Sequence, residues 1–129
     1  MTIKPVVALI EDEPLQRMPL ARALDDAGFE VVSAAYGPEG LAVLGDPGVD
    51  AAIVDIRLPG PLNGVAIVRE ARRRNPRLKA VLTSGQAPLE DVTDIGPFLP
   101  KPFRAPELIA LVRMLLDPHD ERRVDDPAS

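Results

Sequence analysis

The sequence has no cysteine and no tryptophan, and only 3% of its residues are aromatic. Without cysteine there is no disulfide framework, and a reducing compartment suits the chain. With so few rings, the core has to be aliphatic. Long apolar runs are lacking too: the longest are about five residues, against the roughly 20 that a membrane helix needs. Met1 to Pro5 leads straight into a strand-like run without the marks of a signal peptide, so the cytoplasm is the expected location. Positive charge is in deficit. A net charge of −5 argues against a nucleic-acid footprint. The run Arg72-Arg73-Arg74 does not change this, because it falls near the end of a predicted helix and reads as a solvated face. The sole histidine, His119, lies in a polar tail and reads as solvated.

What is present suits one globular domain. The chain has 129 residues, of which 46% are hydrophobic, enough for a real core. Val6 to Ile10 is a short apolar run and a buried-strand candidate. Glu11-Asp12-Glu13 and then Pro14 open a helix, with Pro14 at its first position. Leu15, Met18, Leu20, Ala21 and Leu24 recur at roughly helical spacing, and Gly28 stops the helix. Strand patterns follow at 29–35, 51–54, 78–83 and 98–99. Helical patterns fall at 38–44, at Val65 to Ala71 before Asn75-Pro76, and at 108–116. Strands alternating with helices imply parallel pairing with right-handed crossovers. Near-continuous apolar strands fit a sheet covered on both faces. After Leu116 the composition turns polar, so 118–129 is expected to be a disordered tail.

The chemistry gathers at the strand ends. Glu11 and Asp12 follow the first strand, Asp55 closes the third, Thr83-Ser84 the fourth, and Lys101 comes after the fifth. Ligands of open α/β sheets bind outside these carboxyl ends. Each residue has an ordinary explanation alone. Acidic residues favour a helix N-terminus, Asp55 can bond its own loop, threonine is common in strands, and Lys101 can be a surface lysine. Together they make a more specific set. Three converging carboxylates resist ionising at once, and a hard divalent cation such as Mg²⁺ relieves them. A lysine and a hydroxyl facing the same point are donors for a phosphoryl group. An aspartate can attack phosphorus. The set looks built for phosphoryl transfer onto Asp55.

The pattern Glu11-Asp12-Glu13-Pro14, Asp55 with Leu58-Pro59-Gly60 and Asn63-Gly64, Thr83-Ser84-Gly85 and Lys101-Pro102-Phe103 resembles the receiver domain of two-component response regulators. The resemblance covers residues 6 to 116, within a receiver domain taken as 4–117. It implies a flavodoxin-like, doubly wound, five-stranded parallel sheet of order 2-1-3-4-5 with helices on both faces. It implies that Asp55 accepts phosphate from a histidine kinase or a histidine phosphotransfer protein. By the same resemblance Asp12 ligates Mg²⁺ directly, Glu11 acts mainly through water, and Asp55 and the Arg57 carbonyl complete the protein ligands. Thr83 and Lys101 would hold phosphoryl oxygens, and Phe98 falls at the rotating aromatic switch. The Lys101–Pro102 bond is expected to be cis. Such a domain signals rather than acting as a classical enzyme, although it can catalyse its own phosphotransfer and dephosphorylation.

No output domain follows in this sequence, so the expectation is a stand-alone regulator, a monomer or weak dimer, acting by protein contact. The stretch between Thr83 and Lys101 is about one helical turn shorter than in most relatives. A fourth helix there should be short, frayed or absent, with Leu89, Val92 and Ile95 as its anchors. Residues 84–97 are expected to be mobile until phosphorylation. Three rivals remain. A haloacid-dehalogenase-type phosphatase would need a second aspartate where Arg57 stands. A flavin carrier would need a phosphate loop where the acidic run stands. A degenerate receiver, binding partners without phosphorylation, would be expected to lack Asp12, Asp55 or Lys101, and all three are present.

Overall fold

The computed structural model describes residues 3–117. The tail with His119 lies outside them. The elements run β1 (Val6–Ile10), α1 (Pro14–Asp26), β2 (Glu30–Ala34), α2 (Gly37–Leu44), β3 (Ala51–Asp55), α3 (Gly64–Ala71), β4 (Lys79–Ser84), β5 (Phe98–Pro100) and α4 (Ala105–Leu116). All strand pairs are parallel, and the sheet order is β2-β1-β3-β4-β5, as expected.

Strand residues alternate between the two faces of a sheet. Here both sets are apolar, so two cores form. Ala8, Ile10, Ala52, Val54, Ala80 and Leu82 meet Leu44 of α2 and Val65, Ile67 and Val68 of α3. Val7, Leu9, Ile53 and Val81 meet Leu24 of α1 and Leu108 and Val112 of α4. The expected aliphatic core is what the structure builds. Phe29 is the buried aromatic, and the Arg113 guanidinium lies 5.9 Å over its ring. α4 begins three residues before its apolar pattern. Its first turn closes when the Arg104 amide donates to the Glu107 carboxylate at 3.0 Å. On α1 the pattern misled. Leu15 and Met18 are 85% and 66% exposed, and Leu24 is the buried residue of that helix.

Between β4 and β5 the chain forms turns and no helix. Val92 and Ile95 fill the core where a helix would lie. A Cβ on Gly96 would fall 2.0 Å from the Ala80 carbonyl oxygen, so the backbone here presses directly on β4. The Leu82 amide donates to the Pro97 carbonyl at 2.9 Å. Two expectations need correction. Leu89 anchors nothing and is fully exposed, because the chain turns its side chain outward before Val92 reaches the core. Arg72 is not part of a solvated face. It is half-buried, donating to the Leu78 carbonyl at 3.1 Å and to the Ile95 carbonyl at 2.7 Å. Burial holds its guanidinium below the usual arginine value. Asn75, read as a helix stop, is buried and donates to the carbonyls of Leu44, Asp46 and Val49.

Candidate functional site

Parallel pairing carries the strand ends to one edge. Ile10 pairs with Val54, and Asp55 pairs with Thr83, so the residues after β1 and at the ends of β3 and β4 lie side by side. Ser84 pairs with Pro100, and the Lys101 amide then donates to the Ser84 carbonyl at 2.9 Å. This places Lys101 at the same edge. Its ammonium donates to Glu11 Oε1 at 2.6 Å and to Asp55 Oδ2 at 2.8 Å. The Lys101–Pro102 bond is cis.

The loop after β3 holds Asp55 from the other side. The Arg57 amide donates to Asp55 Oδ1 at 2.9 Å. Gly60, at φ +93°, makes the reversal that a side chain would strain. Asn63 then caps α3, its side chain accepting from the Ala66 amide at 2.9 Å. A Cβ on Gly64 would sit 2.3 Å from the Asp55 carbonyl oxygen. Only glycine lets α3 start this close to the strand end, which gives the Asn63-Gly64 pair its physical reason.

Glu11 and Asp55 are buried, and Asp12 is half-buried. One carboxylate oxygen from each lies within 4.8 Å of the others. Burial pushes the Glu11 carboxyl above its usual value, against hydrogen bonds from Lys101 and the Glu13 amide that favour its charged form. Burial alone would lower Lys101. Hydrogen bonds to Asp55 and Glu11, and their charges, more than offset it and leave the ammonium raised. One ammonium therefore sits among three carboxylates. The excess negative charge and the all-oxygen donor set fit a hard divalent cation. Asp12 also lines an open cleft of about 810 Å³ that continues past Arg57, Ser84 and Leu89.

A model of the response regulator receiver domain matches residues 7–113. The chain belongs to this family. It is 36% identical over 124 residues to the sensor kinase CckA of Brucella abortus, covering 88% of this chain and 13% of that protein. It is 31% identical over 123 residues to the transcriptional regulator NtrC of Salmonella typhimurium, covering 92% of this chain and 26% of the relative. The chain thus spans a minor part of these curated relatives. Among solved structures, a receiver protein from Sinorhizobium medicae superposes with a TM-score of 0.80 at 30% identity, covering 88% and 95% of the two chains. A CheY-like receiver from Methanospirillum hungatei gives 0.84 at 24% identity, covering 93% and 99%, and supports the fold. Receiver domains bind Mg²⁺ at an acidic cluster, and Glu11, Asp12 and Asp55 are the cluster here.

Of the residues singled out in the sequence, the structure brings Glu11, Asp12, Asp55 and Lys101 together. Thr83 is buried beside Asp55 in register. Arg57 touches Asp55 through its amide. Phe98 pairs with Leu82, one residue before Thr83, and is partly buried against the α3-side core. Sequence reasoning missed Arg17, whose Nη1 donates to the Glu11 carbonyl at 2.8 Å. No sequence signal could have found it, because its acceptor is a backbone carbonyl. No helix among the described residues is long and apolar enough to cross a membrane.

Proposed function

We propose that this receiver domain accepts a phosphoryl group on Asp55 from a histidine kinase or a histidine phosphotransfer protein. We take residues 4–117 as the receiver unit and place it in the cytoplasm, where such a donor would meet it. The observation that carries the reading is the Lys101 ammonium bonded at once to Glu11 and Asp55, with Asp12 completing a three-carboxylate cluster. One Asp55 oxygen forms the new O–P bond as the N–P bond to the donor imidazole breaks. The electron pair returns to that imidazole, which then takes a proton. Lys101 and the Thr83 hydroxyl hold phosphoryl oxygens as charge redistributes. Bound Mg²⁺ would neutralise those oxygens, held by Asp12 directly, Glu11 through water, Asp55, and the Arg57 carbonyl. Water attack on the acyl phosphate would reverse the modification, the domain's own dephosphorylation.

As Thr83 turns toward the phosphoryl group, Phe98 would move into the space it leaves, a two-state element biased by local charge. The donor must reach Asp55 from outside the sheet edge. The exposed Leu15, beside Lys101, Pro102 and Phe103 along a second open cleft, supports a docking face for it there. Incubation with acetyl phosphate and Mg²⁺ should add the mass of one phosphoryl group, and Asp55→Asn should abolish the gain. Equal labelling of the Asn variant would reassign the acceptor. A wild-type chain that never gains the mass would favour a receiver that binds partners without phosphorylation.

A further inference from the structure

Glu11 and Asp12 are held in different ways. Glu11 is almost completely enclosed. Its amide donates to the Ala34 carbonyl at 3.0 Å, and its carboxylate accepts from Lys101 and from the Glu13 amide. Asp12 is half-buried and faces the open cleft. Its direction is therefore set by the peptide before it. The oxygen of that peptide is the Glu11 carbonyl, which accepts from Arg17 Nη1 at 2.8 Å. Arg17 returns to this turn from the start of α1, where its own amide donates to the Glu13 carbonyl at 2.8 Å. Its side chain is half-buried, so the clamp is partly shielded from water.

We propose that Arg17 is a positioning residue for the metal-binding turn. Its guanidinium fixes the Glu11–Asp12 peptide and so aims the Asp12 carboxylate. The proposal rests on the reading that Asp12 and its neighbours hold Mg²⁺.

A guanidinium near a cation site also repels the cation. Positioning and repulsion have opposite signs, so the sign of the change on removing Arg17 decides between them. The full chain is titrated with MgCl₂ alone, followed by backbone amide chemical shifts. Arg17→Gln should weaken Mg²⁺ binding about tenfold, the lower end of what losing a group that orients a metal ligand costs. Arg17→Lys should lie between Gln and wild type. In metal-free protein, the Asp12 and Glu13 amides should exchange faster in Arg17→Gln, a readout that needs no bound metal. Unchanged or tighter Mg²⁺ binding by a folded Arg17→Gln overturns the proposal. Should that variant not fold, Arg17→Lys with affinity equal to or above wild type overturns it as well. Asp12→Ala separates the two layers. If it abolishes binding while Arg17→Gln does not weaken it, the clamp alone is refuted. If neither change matters, the metal reading has failed and the clamp falls with it.

Discussion

Two regions along the sheet are unusual for opposite reasons. The acidic edge gathers three carboxylates around one lysine and remains short of positive charge. The β4–β5 connection lacks a helix, yet its second half is settled. Val92 and Ile95 are buried, Arg72 ties the Ile95 carbonyl to the end of α3, and Gly96 lies flat on β4. One region stores an electrostatic imbalance that a ligand can relieve. The other has replaced a helix with a few anchors and is internally satisfied. The contrast argues against treating 84–97 as one mobile unit. Residues 85–90 have open surroundings, with nothing within 4 Å of a Cβ placed on Gly85. The stretch from Val92 to Pro97 is fastened.

The largest expected effect tests the acidic side. In metal-free buffer, Lys101→Ala leaves two buried carboxylates without their cation. It should cost about 3 kcal/mol of unfolding free energy near neutral pH, measured by urea denaturation. The deficit should shrink on acidification. The Glu11 carboxyl is raised in the folded chain, so the folded state binds its proton first, and its stability contribution falls as pH rises from 4.5 through that raised value. The ammonium has the opposite arithmetic. Lys101 is also raised, so its contribution is complete below 10.5 and is lost as pH climbs through the folded value. A deficit that does not depend on pH would show that packing, not charge, holds this edge.

Nearly as large is the effect of touching the fastened half. Gly96→Ala drives a methyl into the Ala80 carbonyl and should cost about 3 kcal/mol. Gly85→Ala should cost nothing measurable, within about 0.5 kcal/mol either way. Equal losses at both sites would erase the distinction between the halves.

A smaller effect separates neighbouring arginines. Arg72→Ala removes two hydrogen bonds to carbonyls and should cost about 1.5 kcal/mol. Arg73→Ala breaks an exposed contact to Glu70 at 3.6 Å and should cost under about 0.5 kcal/mol. Thermal unfolding of the two variants checks this ranking.

The smallest change sharpens the comparison without altering stability. Amide hydrogen exchange should show the Ile95 and Gly96 amides, which donate to the Val92 carbonyl, protected in both states. Only 85–90 should slow when a phosphoryl mimic and Mg²⁺ are added. Slowing that extends through 92–97 would restore the view of a single ordering segment.

Much of this molecule could be read from the sequence because it depends on neighbours along the chain. Apolar runs of strand length and Pro14 opening α1 are local choices of conformation, and they carried the strand-end chemistry with them, whereas sheet order and the place of Asn63-Gly64 came from the family resemblance. That Glu11, Asp55 and Lys101 share an edge followed from the rule for parallel strands. That they touch, with Lys101 bridging partners far apart in sequence, did not. Helical spacing marked Leu15 and Met18 as apolar, but it carries no information on which face finds a partner, and the fold left them outside. The roles of Arg17, Arg72 and Asn75 belong to the tertiary structure alone. Each donates to backbone carbonyls, which every residue possesses, so no side-chain pattern in the sequence announces the acceptor. The same holds for Gly96, since its need to lack a side chain arises only once Ala80 of another strand lies against it.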